Sequence, residues 1–187
     1  MRLTHLTARD YKRMSWKNGG GITTELLLEP KADGAALWRL SIAEVTKSGP
    51  FSDFSGYART IMLIDGPGFV LDFDGHPSKR LDRRYEPFLF DGGWKTDCTL
   101  IDGPVRDFNL MAAREAGPAT LAVAELERGG VSIDPAATVI FHALEGDASV
   151  SSHGLPQGDT LRIDTPLLPL SLDAVESATV AVIRIGF

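Results

Sequence analysis

The sequence predicts an all-β protein built as two jelly-roll β-barrels with little helix, and three observations carry that prediction. Short apolar runs bounded by turn residues recur along the whole chain. The 19 glycines and 11 prolines are spread through the 187 residues, which suits many short strands and turns better than long helices. Two stretches repeat one rhythm of strand, acidic-Gly turn and strand.

The strands follow in chain order. Leu37 to Val45 (LWRLSIAEV) alternates large apolar and polar side chains over part of its length. Arg59 to Ile64 and Gly68 to Phe73 are apolar runs joined by Asp65-Gly66-Pro67, which reads as a hairpin. Further strands are expected at Tyr85 to Phe90, Thr96 to Leu100, Ala119 to Leu126, Thr138 to Leu144, Ala148 to Ser151, Thr160 to Ile163 and Ala178 to Ile185. Helix signals are few. Thr7 is placed to cap one short turn in TARDYKRM. NLMAARE, from Asn109 to Glu115, either extends or coils before Gly117-Pro118 stops it.

The repeat pairs IMLIDGPGFVLDFDGH, from Ile61 to His76, with VIFHALEGDASVSSHG, from Val139 to Gly154. The second stretch continues LPQGDTLRID, a turn and a further strand. That is the rhythm of a cupin half-barrel, and a double-sheet jelly roll is one way an all-β chain manages its sheet edges. The expectation is a bicupin-like chain of the RmlC-like cupin type, with an N-terminal barrel over residues 1–117 and a C-terminal one over residues 118–187. The two are tightly packed or form one structural unit.

Composition narrows the function. A net charge of −6 argues against a broad nucleic-acid footprint, which needs clustered Lys and Arg. No run approaches the length of a membrane span and the N-terminus lacks the apolar core of a signal peptide, so the expected location is cytoplasmic with no membrane partner. Cys98 is the single cysteine, which excludes an internal disulfide and a multi-cysteine metal site. The four histidines, His5, His76, His142 and His153, form no His-x-His pair. Several neutral imidazoles must converge on one ion, so the expectation is no metal and no cofactor.

The densest chemistry lies in Trp16-Lys17-Asn18-Gly19-Gly20-Gly21-Ile22-Thr23-Thr24-Glu25. Exposed amides of a glycine run can hold a carboxylate or phosphate, and Trp16 and Asn18 offer a flat wall and a donor-acceptor pair. The same run also reads as a plain turn into a strand, and it lacks the Lys-Ser/Thr ending of a phosphate-binding loop. In an extended Trp38-Arg39-Leu40-Ser41, Arg39 and Ser41 share one face. Arg39 is then a carboxylate clamp if that face lines a polar interior, and an exposed surface charge if it does not. Asp107, Asn109 and Met111 fall together if Val105 to Met111 is extended. Gly49-Pro50-Phe51-Ser52-Asp53-Phe54 reads as an ordered loop with two aromatic anchors, plugging one barrel end.

WKNGGGITTE resembles the N-terminal signature of the HutD/Ves family. Trp38 to Arg59 (WRLSIAEVTKSGPFSDFSGYAR), LIDGPG from Leu63 to Gly68 and GPVRDFNLMAAR from Gly103 to Arg114 resemble it too, in the family's order. Ser15 stands where the family often has Pro, and Ala58 where it often has an acidic residue before the Arg that matches Arg59. The resemblance implies a bicupin fold without the usual metal centre and a link to histidine utilisation. It also implies a binding or regulatory role toward a formylated or formimino glutamate.

The candidate ligand-binding residues are therefore Trp16, Asn18, Gly20, Thr23, Glu25, Arg39, Ser41, Arg59, Asp107 and Asn109, in the N-terminal half. The expected partner is a small polar or anionic metabolite, with a non-enzymatic binder as the leading reading. The alternative is a metal-independent isomerase or hydrolase using Glu25, Asp107 or Arg59, though no Ser-His-Asp spacing or paired carboxylate motif marks catalytic residues. A third reading is a structural partner protein that works through a homodimer.

Overall fold

The computed structural model describes residues 1–186. They form nineteen strands and, among the described residues, a single helical turn at Arg114–Ala116. Among the described residues no helix is long and apolar enough to cross a membrane. The chain divides into two compact units, a central one of Lys12–Glu115 and a terminal one of Met1–Tyr11 with Ala116–Phe187.

The central unit holds β2 (Lys12–Ser15), β3 (Gly21–Pro30), β4 (Ala36–Val45), β5 (Gly49–Pro50), β6 (Tyr57–Asp65), β7 (Phe69–Phe73), β8 (His76–Leu81), β9 (Phe88–Asp91), β10 (Thr96–Leu100) and β11 (Val105–Ala113). They make a six-stranded sheet in the order β2-β3-β4-β11-β6-β9 and a four-stranded sheet in the order β5-β10-β7-β8. The terminal unit holds β1 (Arg2–Leu6), β12 (Ala119–Leu126), β13 (Gly129–Ile133), β14 (Thr138–Glu145), β15 (Ala148–Val150), β16 (His153–Leu155), β17 (Thr160–Asp164), β18 (Leu170–Ala174) and β19 (Ala178–Ile185). Its sheets run β1-β17-β14-β19-β12 and β13-β18-β15-β16.

The two units share one topology. The order β4-β11-β6-β9 corresponds strand for strand to β12-β19-β14-β17, and β5-β10-β7-β8 to β13-β18-β15-β16. The sheets are open rather than closed, so each unit is a pair of facing sheets and not the barrel that the repeat predicts. The first eleven residues, assigned by sequence to the N-terminal half, belong to the terminal unit, because β1 pairs antiparallel with β17. Thr7 to Asp10 is a turn closed by Asp10 N–H on Thr7 O at 2.9 Å, not a helix. Asn109 to Ala113 is strand.

A second difference concerns Asp65-Gly66-Pro67. β6 and β7 lie in different sheets, so this segment is a corner between sheets rather than a hairpin. The apolar residues explain why. Ile61 and Leu63 of β6 and Phe69, Leu71 and Phe73 of β7 belong to one buried cluster, which facing strands can build and which two-residue alternation supplies from each. Gly66 (φ +94°) and its repeat counterpart Gly146 (φ +68°) both take the left-handed conformation at this corner.

The interiors differ in kind. In the terminal unit Val139, Phe141, Leu161, Leu172, Val180 and Val182 pack into an apolar cluster. In the central unit the corresponding strands β4, β6 and β11 also carry Ser41, Arg59, Asp107 and Asn109, all buried.

A candidate anion-binding site in the central unit

Three adjacent strands of the six-stranded sheet set the site. Arg39 of β4, Met111 of β11 and Arg59 of β6 are direct cross-strand partners and form one lateral row. Ser41 and Asn109 form the next row, and Ala43 and Asp107 the one after. Alternation by two residues turns all of these toward the same side of the sheet. There they line a cavity of about 480 Å³. Trp16, Lys17, Asn18 and Thr23 close it from the β2–β3 hairpin, and Phe51 and Phe54 from the segment after β5.

The glycine-rich hairpin is tied up internally. Gly19 N–H donates to Trp16 O (3.0 Å) and Gly20 N–H to Asn18 Oδ1 (2.9 Å). Trp16 Nε1–H donates to Thr23 Oγ1 at 2.8 Å, which fixes the indole as a wall. The run is therefore not an anion nest of free amides. A Cβ at Gly21 would lie 2.5 Å from Glu44 O and 3.1 Å from the Trp16 ring, so this position admits only glycine.

Arg59 is the most constrained charge. Its guanidinium lies 5.1 Å from the Phe51 ring centroid, 5.1 Å from Phe54 and 5.0 Å from Phe90. Such caging suits a weakly hydrated guanidinium. Nη2–H donates to Asn109 Oδ1 at 3.0 Å, and the Asn109 amide donates to Asp107 Oδ1. Arg59 Nε is buried and has no hydrogen-bond partner among the described residues. Burial lowers the Arg59 pKa to about 10, against the opposing pull of Asp107. Burial likewise raises Asp107 to about 7, more than Asn109 and Arg59 bring it down.

Arg39 is balanced differently. Its Nε lies 2.8 Å from Glu25 Oε2, and both side chains are half-buried. Glu25 is a counter-ion to Arg39 and is not among the residues lining the cavity. Gly20 lines a smaller cavity of about 180 Å³, which shares Trp16, Asn18, Pro50 and Phe51 with the larger one. The other eight sequence candidates, Trp16, Asn18, Thr23, Arg39, Ser41, Arg59, Asp107 and Asn109, line the main cavity. Sequence reasoning missed Phe90 and the true partner of Phe51 and Phe54. The two aromatic anchors were visible, but nothing local says that they close on Arg59.

The donor set suits an anion rather than a metal ion. Guanidinium, amide and hydroxyl groups line the cavity, and no histidine does. His5 bonds Asp159 (2.9 Å) and His153 (3.2 Å), His142 bonds Thr160 (2.9 Å), and His76 stacks on Trp94 with ring centroids 3.8 Å apart. Among the described residues no three His, Cys, Asp or Glu side chains come together to hold an ion.

Residues 8–181 match the HutD family. A Pseudomonas putida protein described as an uncharacterised 21.2 kDa protein in the hutC 3' region is 40% identical over 80% of this chain and 77% of its own length. Protein Ves of Citrobacter koseri is 35% identical over 62% of this chain and 64% of its own. Among solved structures, a conserved protein of unknown function from Pseudomonas aeruginosa superposes with a TM-score of 0.89 at 35% identity, and HutD from Pseudomonas fluorescens, in a formate condition, with 0.83 at 33%; each match covers both chains fully. More distant cupin-like neighbours at 8–12% identity share the fold alone.

Proposed function

The chain belongs to the HutD family, and from that premise we propose that it is a non-enzymatic protein that binds a small anionic metabolite in the cavity of its central unit. The observation that carries this reading is a cavity of about 480 Å³ lined by two guanidinium side chains, Arg39 and Arg59, in one row of one sheet face. Ser41, Asn18 and Lys17 are among the other polar groups within the same walls. The volume suits a molecule of metabolite size held by a few polar contacts.

The candidate ligand is formylglutamate or a related intermediate of histidine utilisation. The role is binding or regulation, in a cytoplasmic protein with no nucleic-acid or membrane partner, as a monomer or a homodimer. On the fold, each two-sheet unit is one jelly-roll half of a bicupin.

Calorimetric titration tests this. Formylglutamate, formiminoglutamate, urocanate and glutamate are titrated into the wild type and Arg39→Ala. One of them is expected to bind the wild type, and Arg39→Ala to bind it tens- to thousands-fold more weakly, the equivalent of about 2–5 kcal/mol. Equal binding by both proteins would show the site assignment to be wrong, and no binding by the wild type would remove the metabolite reading.

A metal-independent enzyme is the second reading, and one observation favours it. Asp107 lines the cavity with its carboxyl pushed up to about 7 by burial, the range in which a carboxyl serves as general acid or base. Nuclear magnetic resonance of the bound compound after prolonged incubation separates the two: a binder returns it unchanged.

A further inference from the structure

Arg59 and Asp107 carry opposite charges in one cavity, yet Asn109 stands between them. Its carbonyl accepts from Arg59 and its amide donates to Asp107. Asp107 is only 2% exposed, and its carboxyl accepts a hydrogen bond from this neutral donor. Arg59 and Asp107 thus line the same cavity without a direct ion pair between them.

An anion that docks on Arg59 brings a second negative charge into that space. With Arg39 already paired to Glu25 and Lys17 exposed to water, Arg59 is the buried cation left for two negative groups, and such crowding raises the pKa of one of them. We infer that the cavity takes up its anion together with one proton, and that Asp107 is the group that receives it. The inference rests on the anion-binding reading above. The proton comes from solvent and forms an O–H bond on the Asp107 carboxyl, with no other bond made or broken. The carboxyl then gains a donor, which can meet a ligand oxygen that the carboxylate would repel.

The other charged and titratable groups leave Asp107 as the one that responds. Arg59 faces it from β6, and its pKa, lowered only to about 10, keeps it a cation. Arg39 faces the cavity from β4 with its charge balanced by Glu25 of β3. Lys17 lies on the cavity wall in the β2–β3 hairpin. Cys98 of β10 is near enough to feel Asp107, and burial pushes its thiol up to about 12, so it stays neutral. Asn109 and Ser41 do not titrate. The rise of Asp107 to about 7 places its response close to neutral pH.

The experiment uses the whole protein with sodium formate and formylglutamate as probes. Calorimetry at about pH 8, in two buffers of different ionisation enthalpy, reads the protons bound per anion, and close to one is expected. Affinity should fall up to tenfold per pH unit above about pH 7.5 and level off below about pH 6. Asp107→Asn, which keeps the shape without the charge, should bind both probes with that slope gone. Carbon-13 titration of the wild-type Asp107 carboxyl, free and saturated with anion, reports the same coupling should the variant fail to fold, and its midpoint should move upward on saturation. Measurable binding with no proton uptake, an unchanged slope in Asp107→Asn, or an unmoved carboxyl midpoint overturns the coupling while leaving anion binding intact. If neither probe binds anywhere between about pH 5.5 and about pH 8.5, the anion-binding reading fails and the coupling fails with it.

Discussion

Arg39 and Arg59 stand in the same lateral row on either side of Met111, yet among the described residues only Arg39 has a carboxylate within ion-pair distance. Glu25 neutralises Arg39, whereas Arg59 is held by a neutral amide and three aromatic rings. The two cations of the cavity therefore differ in what an arriving anion must displace. At Arg39 it competes with Glu25, and at Arg59 it meets no competing carboxylate among the described residues.

The first prediction follows from that difference. Arg59→Met should keep the fold, since a hydrophobic side chain of similar length can fill a cage made by Phe51, Phe54 and Phe90. Anion binding should disappear. Both variants strand Asn109 and Asp107, but Arg59→Ala also empties the cage and should lose about 2–5 kcal/mol more stability than Arg59→Met. Urea unfolding of the two variants checks the contrast, and equal losses would contradict it.

Stability should fall with rising pH because of Asp107. Its folded pKa of about 7 lies above its ordinary value of 3.8. Between those values the folded state holds a proton that the unfolded state has released, so unfolding free energy decreases as pH rises through the window and is flat above about 7. The total is on the order of a few kcal/mol. Asp107→Asn should lose this dependence and be the more stable protein at about pH 8, as urea midpoints across the range would show.

Cys98 should be inert in the native protein. It is 3% exposed, and burial pushes its thiol up to about 12. The thiolate is the reactive form, so a disulfide reagent at neutral pH should modify it only as fast as the unit opens. Complete reaction within seconds in the absence of denaturant would refute this.

Gly66→Ala and Gly146→Ala should each destabilise by more than about 1 kcal/mol, because both positions have positive φ and a Cβ there would press on the carbonyl oxygen of Pro104 or Ser177. Matching losses in thermal melts would also test whether the two corners are equivalent.

Much of the site was legible because strand periodicity is a local property. Alternation along WRLS and VRDFNLM puts Arg39 and Ser41, and Asp107, Asn109 and Met111, on shared faces without any knowledge of the partner strands. The Arg39–Glu25 pair was not legible as a pair, since it depends on the β3–β4 register and on an irregularity between Glu25 and Leu27. Arg59 gave no sign of its burial, because its cage comes from two segments distant in sequence, the Phe51–Phe54 loop and β9. The glycine run suggested free amides, but its side-chain and carbonyl acceptors sit within the same short loop. At Asp65-Gly66 a turn signal was present, while its direction is decided by which apolar faces meet, a long-range matter.

The pairing of β1 with β17 bears on the order in which the chain assembles. The terminal unit is sewn from both ends of the sequence, whereas the central unit is one unbroken stretch. A growing chain can complete every strand pair of the central unit while Arg2–Leu6 still lacks its neighbour. Contacts that close so long a loop form late and slowly. Until Thr160–Asp164 emerges, the first strand is an unsatisfied edge open to other chains, and His5 and Thr4 along it are polar residues that make such an edge less sticky. The ligand cavity can thus be finished before the chain that carries it has closed.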